Sequence, residues 1–311
     1  MKKILITGGT GFIGGRLTKR LAAEYEVYIS SRKKLTEGNT LDIYGNVLSI
    51  DHKTLFEPEN FPAVDVVIHL AALNEWDSIK YPSEAIRVNI DETRIILENS
   101  IAKGVDRFVY FSTAHIYGSP MVGKITESTL PQPMHSYSIT HRAAEDYVVS
   151  ADRQKKIHGT VLRLSNSFGA PVSADVNRWT LLANDLCRQA VGKGKMVLNS
   201  NGCQYRDFIS LANVEEIIAS LMERRHPLKN VIYNLGSGIA IRVIDMARII
   251  ESLCVTVLNR NVPIELPVHA KETNEPGLEF SIERLLEEGF HINNDVTLEL
   301  ERLLQFCAVH F

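Results

Sequence analysis

Residues 2–15, KKILITGGTGFIGG, place a short apolar run directly before a cluster of glycines. The run is typical of a buried parallel strand. Gly8, Gly11 and Gly14 have the spacing G-x-x-G-x-x-G, and Gly9, Gly11 and Gly14 have the spacing G-x-G-x-x-G. Glycines at such positions permit a tight turn, let the backbone approach a pyrophosphate and let a helix pack closely on the strand. The stretch therefore predicts a strand, a phosphate-binding turn and a helix in succession.

The helix that follows is predicted over residues 11–23, where apolar residues recur at helical spacing. Its N-terminus would supply backbone N–H donors and the positive end of the helix dipole to an anion. A Walker A loop is excluded, because Gly15 stands where that motif requires a lysine. The expected ligand of this turn is therefore a dinucleotide.

Strands and helices alternate up to about residue 169, and further elements are predicted beyond it. After the first strand, strands are predicted at residues 26–30, 46–51, 64–72, 106–113, 158–165 and 231–238. Further helices are predicted at residues 84–104, 137–154, 241–253 and 281–289. This alternation predicts an α/β fold, a Rossmann-type doubly wound parallel sheet covered by helices on both faces.

The pattern weakens after Gly169, where short elements mix with polar loops. We therefore expect an NAD(P)-binding Rossmann domain at residues 1–169 and a smaller mixed α/β substrate domain over most of residues 170–311. Later segments near residues 208–236 are expected to return to the first domain.

The composition of the chain excludes several functional classes. Of 311 residues, 45% are apolar and 23% are charged, and the net charge is −3, which gives no reason to expect a nucleic-acid partner. The four cysteines are far apart, so neither a zinc site nor a disulfide framework is predicted. No apolar run approaches the ~18 residues of a membrane span, and the N-terminal run is too short for a signal peptide. A cytoplasmic location and no membrane partner are expected.

The residues after the second strand bear on the choice of dinucleotide. NAD-binding folds usually place Asp or Glu here on the ribose 2′-hydroxyl, whereas this chain has Ser30, Ser31 and Arg32. An arginine can hold a 2′-phosphate. The sequence therefore favours NADP, with NAD left open.

Further segments complete a pattern that covers nearly the whole chain. In order, they are ITGGTGFIG, SID ending at Asp51, HLAA at 69–72, VNIDET, FSTAHIYG, RLSNSFG, QYRDFISLANV and YNLGSG. These segments resemble the extended short-chain dehydrogenase/reductase family, the NAD(P)-dependent epimerases and dehydratases of nucleotide sugars. The resemblance implies reversible hydride transfer between a sugar carbon and the nicotinamide.

The resemblance also assigns roles to residues. It implies that Tyr137 exchanges a proton with the sugar oxygen and that Thr113 orients this oxygen. It implies that His141, one helical turn after Tyr137, occupies the position of the family's lysine. The implied cofactor-binding residues are Gly8, Gly11, Phe12, Ile13, Gly14, Arg32, Asp51, His52, Leu70, Ala71, Ala72, Asn89, Tyr137 and His141. The implied substrate-binding residues are Asn166, Arg206 and Thr113.

His141 is the departure from the family pattern that decides activity. A lysine four residues after the tyrosine lowers the tyrosine pKa by its charge, whereas free histidine titrates near 6.5 and is mostly neutral at pH 7. Three interpretations remain open. In the first, His141 is a working substitute for the lysine. In the second, activity is weak or a different residue fills the role. In the third, catalysis is lost and the chain is an NADP(H)-binding sensor or scaffold.

The reaction within the family is also open. The 4,6-dehydratases usually carry Asp-Glu after the threonine, whereas this chain has Ala114 and His115, which argues against dehydration. The motif around Thr113 favours an epimerase, and Arg32 favours a reductase. The resemblance further implies surface-polysaccharide synthesis and a homodimer formed through helices 84–103 and 138–155.

Overall fold

A parallel sheet of seven strands is the largest element of the computed structural model, which describes residues 1–31, 46–268 and 275–311. The strands are β1 (Lys3–Thr7), β2 (Glu26–Ser31), β3 (Val47–Asp51), β4 (Val66–His69), β5 (Arg107–Thr113), β6 (Gly123–Ile125), β7 (His158–Leu164), β8 (Asn166–Phe168), β9 (Met196–Val197), β10 (Tyr205–Ser210), β11 (Ile232–Leu235), β12 (Ala240–Arg242), β13 (Ile264–Glu265) and β14 (Leu278–Phe280). The α-helices are α1 (Phe12–Leu21), α2 (Glu75–Lys80), α3 (Pro82–Ala85), α4 (Thr93–Ala102), α5 (Ser136–Arg153), α6 (Leu182–Lys193), α7 (Leu211–Glu223), α8 (Val243–Val257), α9 (Glu283–Glu287) and α10 (Thr297–His310).

The strand order of the large sheet is β11-β7-β5-β4-β1-β2-β3. The order reverses at β1, which pairs in parallel with β2 on one side and β4 on the other. Every residue of β4 and β5 is buried, as expected for central strands of a sheet covered on both faces. In the sheet register, Thr7 lies beside Ser30 of β2 and beside His69 of β4. The loops that leave these three strands therefore start side by side, at the point where such folds bind ligands.

The chain divides into two compact units. The first comprises residues 1–119, 129–164 and 218–234, and the second comprises residues 120–128, 165–217 and 235–311. The sequence placed the division at residue 169 and the returning segment at 208–236. The short segment 120–128 gives the second unit the strand β6, which pairs with β14.

The second unit has its own sheet and core. Strand β10 pairs in parallel with β8 and antiparallel with β12. Buried side chains of α6, α8 and α10, including Leu186, Ile250 and Leu303, form one apolar cluster. All four cysteines lie in this unit as buried free thiols. Among the described residues, no helix is both long and apolar enough to cross a bilayer.

Two helix predictions are corrected by the structure. The stretch predicted as one helix over 84–104 consists of α3, a π-helical segment Ile86–Glu92 and α4, and it ends at Gly104, whose φ is +73°. Helix α10 is absent from the prediction, which was therefore wrong for residues 297–310. Its buried residues Leu300, Leu303, Leu304 and Cys307 have helical spacing, and they cover the core of the second unit.

Candidate active site

The glycine loop joins β1 to α1 by a tight turn. Gly8 has a φ of +70°, a conformation that side chains disfavour, and its carbonyl oxygen accepts a hydrogen bond from the Gly11 N–H at 2.9 Å. Gly11 is the N-cap of α1, and no side chain caps it. Phe12 and Ile13 form the first positions of this helix. The N–H groups at the start of α1 are thus of the kind that hold a phosphate.

Close backbone approach explains the other glycines of the loop. A Cβ atom on Gly14 would collide with the carbonyl oxygen of Gly8. A Cβ atom on Gly9 would lie 2.5 Å from the side chain of Ile29 on β2. Gly8 and Gly14 therefore shape the turn, and Gly9 lets the loop pack against the sheet. This cradle fits a dinucleotide pyrophosphate, because glycines at these positions let the backbone approach the pyrophosphate closely.

The residues predicted to contact the adenosine half lie after β2 and β3. Asp51 ends β3 and accepts a hydrogen bond from the Lys53 N–H at 2.9 Å. The Nε2 atom of His52 lies 3.2 Å from Oε2 of Glu92. Arg32, on which the preference for NADP rests, lies outside the described residues. That preference stays a prediction from sequence.

The loop after β4 is held by one hydroxyl group. The backbone N–H groups of Leu70 and Ala71 donate to Thr7 Oγ1 at 3.1 and 3.2 Å, and Thr7 Oγ1 lies 2.7 Å from His69 Nδ1. His69 Nε2 lies 2.9 Å from Thr93 Oγ1. Burial, with the nearby His52 and His141, lowers the pKa of His69 to about 3. His69 is therefore a neutral structural residue that fixes the start of the loop containing Leu70, Ala71 and Ala72.

Asn89 lies in the π-helical segment and is 1% exposed. Its Oδ1 accepts from the Leu73 N–H at 2.8 Å, and its Nδ2 donates to Thr140 Oγ1 on α5 at 2.9 Å. Local π-helical geometry is frequent at functional sites. Here Asn89 ties the loop after β4 to α5. Its assignment as a cofactor ligand stays a prediction.

Helix α5 carries the two residues expected to do the chemistry. His135 caps its N-terminus in a capping box with Ser138. The rings of Tyr137 and His141 meet edge to face, with centroids 4.4 Å apart. His141 is 3% exposed, and its Nδ1 lies 2.7 Å from the hydroxyl oxygen of Tyr110 on β5. Tyr137 is half-buried, so its side chain is not sealed in the core.

Thr113 is the last residue of β5 and is buried. Its Oγ1 accepts a hydrogen bond from the His115 N–H at 3.2 Å, which caps the short 3-10 helix Ala114–Tyr117. The hydroxyl proton of Thr113 is not used by this contact. Thr113 can therefore still donate a hydrogen bond to a substrate oxygen, as predicted for it.

Three residues that the sequence did not assign to the site converge beside Tyr137. The ring centroids of His115 and His135 lie 6.3 and 6.2 Å from that of Tyr137. His135 Nε2 lies 3.6 Å from Glu75 Oε1, and potential ligand atoms of Glu75, His115 and His135 lie within 4.8 Å of one another. The capping box uses His135 Nδ1 as an acceptor, which leaves the ring proton on Nε2 toward Glu75. This arrangement suits a close polar contact between Glu75 and His135 better than a metal ion, which needs an unprotonated nitrogen.

A buried ion pair fixes α5 against the sheet. The Arg163 guanidinium on β7 donates through Nη2 and Nε to Glu145 at 2.8 and 3.0 Å. Arg163 Nη1 also donates to the Tyr117 hydroxyl at 2.8 Å, and Tyr117 donates to Asn234 Oδ1 at 2.6 Å. Burial is the largest single influence and lowers the pKa of Arg163, but the hydrogen bonds and charges of Glu145 and Tyr117 together outweigh it, so the pKa is raised. Glu145 is two turns after Tyr137, so this pair fixes the turn of α5 that carries Tyr137 and His141.

The two predicted substrate residues lie on neighbouring strands of the second unit. Arg206 is on β10 and Asn166 is on β8, where Asn166 pairs with Phe208. Asn166 Nδ2 donates to the Asp207 carbonyl oxygen at 2.9 Å. The buried Asp207 carboxylate accepts from the Ser237 and Gly238 N–H groups at 2.9 and 2.8 Å. Asp207 therefore has a structural role that the sequence did not separate from that of Arg206.

A sequence model of the NAD-dependent epimerase/dehydratase family matches residues 4–236. The matched part holds the glycine loop, Thr113, the Tyr137–His141 turn and Arg206. The chain belongs to this family. The resemblance to nucleotide-sugar epimerases and dehydratases, predicted from motifs, is confirmed.

The relatives of this chain are assigned to different reactions within the family. The putative UDP-glucose 4-epimerase of Methanocaldococcus jannaschii is 30% identical over 255 residues, which span 80% of this chain and 81% of that protein. The dTDP-D-glucose 4,6-dehydratase of Mus musculus is 28% identical over 266 residues, which span 79% of this chain and 71% of that protein. Both an epimerase and a dehydratase thus match at similar identity.

A solved structure confirms the fold of the family member. UDP-glucuronic acid 4-epimerase from Bacillus cereus, in complex with UDP-glucuronic acid and NAD, superposes with a TM-score of 0.82 at 21% identity, over 99% of this chain and 100% of that chain. The Rossmann-type sheet and the mixed second part were both predicted from the sequence. The cofactor in the family's description is NAD, which the sequence had left open beside NADP.

Proposed function

We propose that this chain catalyses reversible hydride transfer on a nucleotide-activated sugar, with Tyr137 as the acid/base and NAD as the cofactor. The observation that carries the proposal is the Tyr137–His141 turn of α5, where the two rings meet at 4.4 Å in a family of NAD-dependent enzymes. Epimerisation is the favoured outcome of this chemistry, because Ala114 and His115 replace the acidic pair usual in 4,6-dehydratases.

Each residue of the first unit has a separate task in this proposal. Bound NAD would supply the acceptor for the hydride of the sugar carbon. Tyr137 as the phenolate takes the proton of the sugar hydroxyl, and the resulting phenol gives it back in the reverse step. The Thr113 hydroxyl orients the same sugar oxygen. The N–H groups at the start of α1 hold the pyrophosphate, and the buried Arg163–Glu145 pair keeps α5 in place.

The test combines binding with turnover. Purified protein is titrated with NADH and NADPH by fluorescence, and then incubated with NAD and a panel of UDP-, GDP- and dTDP-sugars. We expect tighter binding of NADH than of NADPH, and conversion of at least one sugar nucleotide. Tight cofactor binding without turnover of any sugar would instead support a binding protein that has lost catalysis with the lysine.

Replacing Gly14 by alanine is expected to weaken NADH binding at least tenfold. The added Cβ would collide with the Gly8 carbonyl oxygen, so the turn that cradles the pyrophosphate must shift. A tenfold loss corresponds to ~1.4 kcal/mol. Fluorescence titration measures the affinity.

Gly192→Ala is the matched control for this change. Gly192 lies in α6, and a Cβ there meets no atom within 4 Å. Alanine in a helix is favoured over glycine by up to ~1 kcal/mol, so this variant keeps NADH binding and full stability. Equal NADH affinity in Gly14→Ala and wild type would contradict the assignment of the loop.

Arg206→Ala is expected to raise KM for the sugar nucleotide about tenfold or more and to leave kcat nearly unchanged. A guanidinium can hold a diphosphate through paired hydrogen bonds, and a bond to a charged group contributes ~1.5–3 kcal/mol. Steady-state kinetics separate the two constants. Arg248→Ala, which removes an exposed arginine of α8 paired with Asp245, is the control and keeps KM. An unchanged KM in Arg206→Ala would show that Arg206 does not bind the diphosphate of the substrate.

We also propose that two copies of the chain associate through residues 84–103 and 138–155, the two helical stretches predicted from the sequence. Apolar side chains on these stretches are exposed in the single chain, including Ile86 at 53% and Ile139 at 50%. Exposed apolar patches of this kind mark protein–protein contacts. Sedimentation should give twice the mass of one chain, and Ile139→Asp should shift the mass toward the monomer. A monomeric wild type at micromolar concentration would contradict the proposal.

A further inference from the structure

A buried hydroxyl contacts the histidine that replaces the lysine. Tyr110 lies in the middle of β5 and is 2% exposed, and its oxygen is 2.7 Å from His141 Nδ1. The two rings are inclined by 31°, with centroids 5.8 Å apart. The contact joins a central strand to the catalytic helix, so both partners have little freedom to move apart.

The direction of this hydrogen bond follows from the chemistry of its two partners. Burial, and then the charges of Glu145 and Tyr137, raise the pKa of Tyr110 well above its ordinary value, so the phenol keeps its proton. A neutral phenol has one proton to donate, and His141 Nδ1 is the partner within reach. If Nδ1 carried a proton, the Tyr110 oxygen would have to accept it, and the phenolic proton would need a second acceptor in the core. Leaving a buried donor without a partner costs free energy.

We propose that Tyr110 is a positioning residue that holds His141 as a neutral imidazole, with Nδ1 as acceptor and the ring proton on Nε2. His141 then acts as a neutral hydrogen-bond donor where related chains use a charged ammonium group. The tautomer is a property of the chain alone, and its catalytic consequence rests on the proposed function. The chain would bind the cofactor through a directed hydrogen bond and would lack a lysine's charge beside Tyr137.

The other titratable groups around His141 agree with a neutral ring. His69 on β4 stacks on Tyr110 with ring centroids 5.9 Å apart and is itself neutral at pH 7, with a pKa of about 3. Glu145, one turn further along α5, is bound to Arg163, so its charge is already compensated. Tyr137 is a further titratable neighbour, at 4.4 Å between ring centroids.

Histidine nitrogen NMR on the protein without cofactor tests the tautomer directly. The chain is labelled with ¹⁵N-histidine, and His141→Gln identifies the signals of residue 141. At pH 7 we expect wild type to show an unprotonated Nδ1 and a protonated Nε2. In Tyr110→Phe we expect Nδ1 to lose the shift of a hydrogen-bonded nitrogen. A doubly protonated ring, or a proton on Nδ1, in wild type overturns the proposal, and neither result depends on turnover.

A double-mutant cycle on NADH affinity separates positioning from general stability. Tyr110→Phe should weaken NADH binding about fivefold in wild type, the value of one hydrogen bond of ~1 kcal/mol. The same change should have little effect in a His141→Gln background, because the ring that Tyr110 orients is gone. Equal losses in both backgrounds would mean that Tyr110 acts only through the fold. If NADH binds but no sugar is converted, the proposed function fails while the tautomer result stands.

Discussion

Tyr137→Phe is expected to lower turnover by ~10²–10⁴-fold, the usual contribution of a positioned acid/base group. The variant keeps the ring and loses the hydroxyl, so its packing against His141 at 4.4 Å is retained. NADH affinity should therefore stay within about twofold of wild type. The loss should appear in kcat and in kcat/KM alike, because the proton transfer occurs on the way to the transition state.

Tyr147→Phe is the matched control for this prediction. Tyr147 lies on the same helix, α5, and its side chain is 43% exposed. Removing its hydroxyl should leave turnover, NADH affinity and thermal stability unchanged. If turnover is unchanged in Tyr137→Phe, another group must act as the acid/base. His115 and the Glu75–His135 pair lie close to Tyr137 and are the candidates.

Arg163→Met is expected to lower the free energy of unfolding by ~3 kcal/mol, the lower end of the cost of removing one member of a buried ion pair, because Arg142 Nη1 still lies 3.3 Å from Glu145. The side chains of Arg163 and Glu145 are 1% and 0% exposed, and hydrogen bonds of 2.8 and 3.0 Å join them. Methionine fills much of the arginine's volume, so the main loss is the charge partner of Glu145. Urea denaturation followed by circular dichroism measures the change.

Two further variants make this measurement specific. Arg94→Met removes the cation of an exposed ion pair with Glu98 on α4. This change should lower the free energy of unfolding by less than ~0.5 kcal/mol. The double variant Arg163→Met with Glu145→Met removes both charges and should recover much of the lost stability. A loss below ~1 kcal/mol in Arg163→Met would show that the pair does not anchor α5.

The parts of the fold that the sequence predicts well are those with local signals. Strands β1, β4 and β5 are continuous apolar runs, and each was placed within two or three residues. The glycine loop was placed because its residues are adjacent in sequence and its turn needs glycine at defined positions. Helix α10 was missed although its apolar spacing is helical, because its N-cap position is Val296 and no capping side chain marks its start.

The parts of the site that the sequence does not predict depend on contacts across the sheet. Tyr110 reads as one apolar residue of a buried strand, and only the pairing of β5 with the elements around it brings its hydroxyl to His141. Glu75, His115 and His135 come from α2, the 3-10 helix after β5 and the cap of α5. Without the topology, no spacing in the sequence links these residues.

The interleaved order of the chain has a consequence for how the protein is made. Strand β11 borders β7 in the large sheet and is formed by residues 232–235. Residues 165–217 of the second unit lie between these two strands in sequence, so they are synthesised before β11. Because synthesis adds ~5–20 residues per second, β7 remains an unpaired edge strand on the ribosome for several seconds. Open edges of apolar strands attract other chains. A fragment ending at Leu164 would keep this edge permanently, and we expect the nascent chain to need chaperone protection until β11 emerges.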